Sequence, residues 1–173
     1  KEAFKEFQIP QRFTPKKILV LGVAGGTVVR LINSYYPTAT ITGVDIDQTM
    51  IDIGKKYFGL DKLDRLTFFC QDAETFVSNE HKFKRRYDII IVDLFIGTHV
   101  PEVVRDESFL KKVKELLTPQ GITVINYLHE FEYIKKSEEL KKTLERLFPK
   151  VQGSFTHNNR FFLCRPAYLP LIP

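Results

Sequence analysis

Gly22-Val23-Ala24-Gly25-Gly26-Thr27 is the segment whose residue types best suit a ligand. Glycines permit a tight turn and let the backbone approach a bound molecule closely. N–H groups exposed where such a turn enters a helix favour an anionic or polar group. A turn of this kind also serves purely structural ends. Asp45 closes a β-rich run about 20 residues further on, where a carboxylate can accept both hydroxyls of a ribose. Its other reading is a cap or turn residue, and Asp47 suits the cap of the next helix. Asp72, in Gln71-Asp72-Ala73, is placed to accept from an adenine amino group while the Ala73 backbone serves the ring nitrogen. Asp72 equally suits the N-cap of a short helix, and both roles can coexist.

A nicotinamide dinucleotide fits the same frame less well. Gly22, Ala24 and Thr27 fall on the three positions of Gly-x-Gly-x-x-Gly, so two of the three glycines are missing. Bunching of Gly25 and Gly26 leaves room for a smaller nucleoside. Asp93 ends the most apolar run, Tyr87 to Asp93, and is the candidate base or substrate orienter; its alternative role is to cap the following loop. That loop, Leu94 to Pro101, is apolar and suits either an acceptor pocket or a docking surface. His99, His129 and Glu130 lie beyond strand ends, where a histidine can serve as acid or base but is more often an ordinary surface residue. His129-Glu130 lacks a second spaced ligand, so no metal site is expected.

The elements that must position these residues alternate along the chain. Lys17 to Leu21, Thr40 to Val44, Leu66 to Cys70, Tyr87 to Asp93 and Ile122 to Tyr127 read as strands. Thr27 to Tyr35 reads as a helix with Val28, Leu31, Ile32 and Tyr35 on one face. Asp47 caps a second helix that runs through Phe58 to Gly59. Further helices are expected from about Asp72, over Ser108 to Leu117, and over Phe131 to Phe148. Val151 to Phe155 and Arg160 to Cys164 read as a closing pair around Asn158-Asn159. Five β-α units and a hairpin imply an α/β fold. It is a doubly wound, Rossmann-like, seven-stranded sheet, mostly parallel with an antiparallel last strand. Ligands in such sheets sit beyond the carboxyl ends of the strands.

The chain has 173 residues, 43% hydrophobic and 27% charged, which suits one ordinary globular domain. Residues 1–14 read as an N-terminal extension and 15–173 as the ligand-binding domain. Its apolar runs are too short to cross a bilayer, and Lys1 to Phe13 lacks the apolar centre of a signal peptide. Cys70 and Cys164 read as two buried thiols in a reducing, cytoplasmic setting. The net charge is +5, but only Lys82-Phe83-Lys84-Arg85-Arg86 is a concentrated basic patch. An RNA-directed role rests on that patch alone, so nucleic acid is not an expected partner.

Six motifs taken in order resemble the S-adenosylmethionine-dependent methyltransferase fold, and within it the spermidine synthase-like branch. They are Ile18 to Gly26, Gly43-Val44-Asp45-Ile46-Asp47, Lys56-Tyr57-Phe58-Gly59, Gln71-Asp72-Ala73, Tyr87 to Asp93 and Leu117-Thr118-Pro119-Gln120-Gly121. The resemblance covers residues 16–128. It implies that Gly22, Ala24, Gly25 and Gly26 hold the amino-acid part of the cofactor. Asp45 would bind ribose with Ile46 beside it in the cofactor set, and Asp72 with Ala73 would bind adenine. Asp93 falls where polyamine synthases place the carboxylate that helps deprotonate an attacking amine.

The chain departs from that pattern at three points. Spermidine synthases carry a second acid in Asp-Ser-x-Asp-Pro, whereas this chain reads Asp93-Leu94-Phe95-Ile96-Gly97. The acid often found in the glycine loop is absent. The covering N-terminal β-hairpin domain is expected to be absent or reduced to residues 1–14. The expectation is therefore a transferase using S-adenosylmethionine to methylate an unidentified, small-molecule acceptor. The alternatives are aminopropyl transfer from decarboxylated S-adenosylmethionine and a non-catalytic nucleoside-binding or scaffolding domain. No membrane association is expected, and a homodimer is compatible with the apolar loop.

Overall fold

Short β-branched runs and amphipathic segments alternate because each apolar strand must be covered on both faces. The computed structural model describes residues 14–166. The expectations for residues 1–13 and 167–173 lie outside the described residues. The elements are β1 (Lys17–Leu21), α1 (Thr27–Tyr35), β2 (Thr40–Asp45), α2 (Gln48–Phe58), β3 (Leu66–Cys70) and α3 (Ala73–Lys82). They continue as β4 (Tyr87–Val92), α4 (Glu107–Glu115), β5 (Leu117–Leu128), α5 (Tyr133–Leu147), β6 (Lys150–Thr156) and β7 (Asn159–Arg165).

The strands form one sheet in the order β3-β2-β1-β4-β5-β7-β6. Neighbours from β3 through β5 are parallel, and β7 runs antiparallel to both β5 and β6. The expected seven-stranded, doubly wound topology is therefore present. Strand order reverses between β1 and β4, whose carboxyl ends lead into Gly22 and Asp93, and in sheets of this kind ligands bind at such a point. The antiparallel β7 brings its first residues, not its last, to that same end of the sheet. No helix among the described residues is long and apolar enough to cross a membrane.

One face of the sheet presents Leu19, Leu21, Ile90, Val92, Ile125, Tyr127 and Phe162 to α3, α4 and α5, through Phe76, Phe109, Leu110, Val113, Leu140 and Leu144. The other presents Ile18, Val20, Ile89, Ile91, Ile122, Val124 and Leu163, and α1 packs there through Val29 and Ile32. Each fully buried aliphatic side chain contributes about 1.5–3 kcal/mol, so the sheet is a rigid base for its loops.

Several boundaries differ from the sequence reading, each for a local reason. The buried stripe of α1 is Val29 and Ile32, whereas Tyr35 is exposed beside Tyr36. α4 starts at Glu107 because Asp106 accepts from the Phe109 N–H at 2.8 Å. α5 starts at Tyr133, since Phe131 holds φ 47°, a left-handed conformation that a helix excludes. β5 begins at Leu117, which pairs with Tyr87; the register shifts before Ile122 pairs with Ile89, so the expected turn survives as an irregularity inside the strand. Cys164 is buried, and burial pushes its thiol well above its usual range. Cys70 is exposed, contrary to expectation, because β3 is an edge strand.

Candidate functional site

β1 and β4 are so close at their carboxyl ends that only glycine fits between the chains leaving them. Gly22 has φ +87°, and a Cβ there would lie 2.1 Å from the Asp93 carbonyl oxygen. Its N–H donates to Val44 O at 2.8 Å, and the Asp93 N–H donates to Leu21 O at 2.8 Å. One residue therefore ties the ends of β1, β2 and β4 together. The loop then turns through Ala24, φ 44°, and Gly26, φ 84°, where a Cβ would meet Leu60 at 2.4 Å. The Gly26 N–H closes the turn on Val23 O at 2.8 Å. The first intrahelical bond of α1 runs from the Arg30 N–H to Gly26 O, so the N–H groups of Thr27, Val28 and Val29 precede the helical ladder.

Asp45 holds this loop from the side. Its Oδ2 accepts from the Val23 N–H at 2.9 Å and the Ala24 N–H at 2.8 Å, and its Oδ1 accepts from the Asp47 N–H at 3.0 Å. A carboxylate offers about four acceptor positions, so one remains on Oδ1. The turn role weighed for Asp45 is thus present in the structure. Any ribose contact through Asp45 is confined to one hydroxyl while the loop keeps this geometry.

Asp72 caps α3, with its Oδ1 accepting from the Thr75 N–H at 2.8 Å, and its Oδ2 has no partner among the described residues. Ala73 is the first residue of α3 and is buried. Ile46 is 66% exposed beside Asp45, an uncovered apolar side chain on the rim. The capping role for Asp47 also holds, with its Oδ1 accepting from the Thr49 N–H at 2.8 Å.

Asp93 follows β4, on the other side of Gly22 from this group. Along the face that α1 covers, the inward residues of β1, β4, β5 and β7 are apolar up to the carboxyl end of the parallel strands. There they become Gly22, Asp93, Asn126 and Asn159. Asn126 donates through Nδ2 to Asp93 Oδ1 at 2.8 Å, and Asn159 donates through Nδ2 to Asn126 Oδ1 at 2.8 Å. Burial pushes the Asp93 carboxyl above the usual carboxylate range, and the Asn126 hydrogen bond partly opposes this. No ion pair reaches Asp93 among the described residues. The sequence points to the end of β5 but attaches no role to Asn126, and it reads Asn159 as a turn residue. A polar side chain closing the apolar face of Ile122 and Val124 is the signal available for Asn126; none is available for Asn159.

The loop after β4 is less apolar at its surface than in its sequence. Leu94 and Phe95 pack against the core and Val100 is buried, so only Ile96 stands out, at 65% exposure. Ile96 and His99 pair through two backbone hydrogen bonds across Gly97, φ 58°. His129 is half-buried, with Nδ1 2.7 Å from Ser137 Oγ and its ring against Phe155. Lys82 to Arg86 are exposed where the chain enters β4, at the opposite end of the sheet from the glycine loop.

This sheet order, the glycine turn after the first strand and the acids closing the next ones define a Rossmann-like, methyltransferase-like α/β fold. The chain belongs to the spermine/spermidine synthase domain family, whose model matches residues 2–160. It is similar to the eEF1A lysine and N-terminal methyltransferase of Bos taurus, 31% identical over 121 residues, covering 65% of this chain and 17% of that protein. It is also similar to the polyamine aminopropyltransferase of Vibrio vulnificus, 30% identical over 112 residues, covering 65% of this chain and 38% of that protein. The chain thus spans well under half the length of either relative. The fold matches human methyltransferase-like protein 13 in complex with SAH, with a TM-score of 0.79 at 24% identity, over 87% of this chain and 72% of that one.

Proposed function

We propose that the chain is a transferase that binds S-adenosylmethionine at the glycine loop and methylates an acceptor held near Asp93. One observation carries the choice of donor. The loop has no acidic side chain, Asp45 already accepts three backbone N–H groups, and the Thr27 to Val29 N–H groups stand at the start of α1. That arrangement suits a donor whose amino-acid tail keeps its carboxylate. When bound, the donor supplies a carbon activated by a sulfonium. In this reading Gly22, Ala24, Gly25 and Gly26 shape the cradle for the tail, and Asp45 Oδ1 accepts one ribose hydroxyl. Ile46 covers an apolar face, and Asp72 Oδ2 with the Ala73 N–H reads the adenine edge. Asp93 orients the acceptor through Oδ2 and takes its proton, and its raised pKa places it nearer the working range of a general base.

Aminopropyl transfer is the second reading, supported by the likeness to the Vibrio vulnificus protein. Ile96 stands where spermidine synthases are expected to carry a second acid, which weakens the grip on a diamine. The acceptor itself is proposed only as a nucleophile that reaches Asp93.

The test is calorimetric titration of the chain with S-adenosylmethionine, its decarboxylated form and NAD, beside Asp45→Ala. The expected result is binding of S-adenosylmethionine, weakened at least about tenfold in the variant through loss of a charged hydrogen-bond acceptor. Tighter binding of the decarboxylated form overturns methyl transfer in favour of aminopropyl transfer. No binding of any of the three overturns the transferase reading.

A further inference from the structure

The Asp93 backbone is fixed on both sides, by its N–H bond to Leu21 O and by Gly22 packed on its carbonyl. Only the side-chain torsions remain to decide where its carboxyl points. We propose that Asn126 and Asn159 are positioning residues, acting in series, that hold the Asp93 carboxyl with Oδ1 anchored and Oδ2 turned to the acceptor. The proposal rests on the role given to Asp93 above.

The direction of the chain follows from donor and acceptor chemistry. An Asn side chain ends in an NH2 that only donates and a carbonyl that only accepts. Left alone, the Asn126 amide could turn either end to Asp93, and its carbonyl end would repel a carboxylate. Asn159 adds to that bias: its NH2, 2.8 Å from Asn126 Oδ1, engages the carbonyl end and leaves the Asn126 NH2 for Asp93 Oδ1 at 2.8 Å. Asp93 Oδ2 has no partner among the described residues.

Topology makes the relay possible. β5 and β7 are antiparallel, with Asn126 opposite Phe161 and Leu128 opposite Asn159, so Asn126 and Asn159 are diagonal neighbours on one face. A parallel strand in the place of β7 would bring its carboxyl end here, and the chain leaving it would have to supply the amide. Asn159 thus acts on a carboxyl 66 residues away in sequence without touching it. Among the described residues, the groups facing Asp93 are the backbone of Gly22 from the β1 end and Asn126 from β5, with Asn159 from β7 behind it, and no charged side chain shifts its titration.

The test reads the Asp93 titration directly, by carboxyl-carbon NMR, in the full chain and in Asn126→Ala, Asn159→Ala and the double variant. Loss of the Asn126 bond should raise the Asp93 pKa by about half a pH unit or more, the equivalent of one modest hydrogen bond. Asn159→Ala should raise it less, by freeing the Asn126 amide to turn. In the Asn126→Ala background, Asn159→Ala should do nothing, because Asn159 has no other route to Asp93. An unmoved Asp93 titration in both single variants overturns the proposal, and so does an additive double variant. If Asn126→Ala does not fold, Asn126→Leu, which keeps the volume and removes the donor, takes its place, and a titration unchanged there overturns the proposal equally. S-adenosylmethionine affinity, measured on the same samples, separates the two ideas. Coupled shifts without donor binding would leave the relay standing and remove the transferase; donor binding without coupled shifts would do the reverse.

Discussion

The two halves of the sheet's carboxyl end are built by different means. On the β1-β2-β3 side, the carboxylates of Asp45, Asp47 and Asp72 are spent on backbone N–H groups, most of them two or three residues away. The one longer tie there, from Asp45 to the Val23 and Ala24 N–H groups, again meets main chain rather than side chain. On the β4-β5-β7 side, Asp93, Asn126 and Asn159 bond side chain to side chain across 33 residues at each step. Backbone partners are present whatever the sequence, so the first half tolerates change in its neighbours. Side-chain partners exist only if each position keeps its residue type, so the second half is specified by a few positions acting together.

Gly22 joins the two halves, and breaking it should give the largest effect. Gly22→Ala places a Cβ 2.1 Å from Asp93 O at a φ of +87°. The clash is with backbone on one side and the loop is held by Asp45 on the other, so neither half can yield cheaply. The expected loss is about 3 kcal/mol or more, a fall of roughly 10 °C in the melting midpoint. A midpoint within about 1 °C of the parent would mean that the halves are not in contact there.

Asp72→Ala should act on one half alone. Loss of the bond to the Thr75 N–H frays the first turn of α3 at a cost of about 1 kcal/mol, with faster amide exchange confined to that turn. Donor affinity should fall as well, while the Asp93 titration stays where it is. A shift of Asp93 in this variant would show that the two halves are coupled through more than Gly22.

How much could be read in advance follows the same division. The order of strands and helices, the caps at Asp47 and Asp72 and the stop at Gly59 were all readable, because periodicity and capping are local. The clamp by Asp45 was only half readable: a carboxylate at the end of β2 is a local signal, but its three N–H partners depend on how the loop folds back. Asn159 was unreadable as a site residue, because its neighbour Asn126 is set by the pairing of β5 with β7. Of the two readings open for the apolar loop after β4, the docking surface loses most of its area, because the fold turns Leu94, Phe95 and Val100 inward and leaves only Ile96 of its large apolar side chains exposed.

The smallest effect concerns Asp93 itself, and its sign distinguishes a carboxyl held for chemistry from one held for stability. Burial raises its pKa in the folded chain, so the folded state keeps this proton to a higher pH than the unfolded state does. Stability owed to the group is therefore complete below the ordinary carboxylate pKa and declines as pH rises through the folded value. Asp93→Asn removes the titration but keeps a carbonyl for the Asn126 NH2. Urea melts from pH 3 to pH 8 should show the variant gaining on the parent as pH rises, then running parallel to it. A variant that instead loses ground to the parent as pH rises would mean that the Asn126 bond outweighs burial and that ionised Asp93 stabilises the fold. The β4-β5-β7 half would then be a structural network like its neighbour, and the comparison between the two halves would fail at its most informative residue.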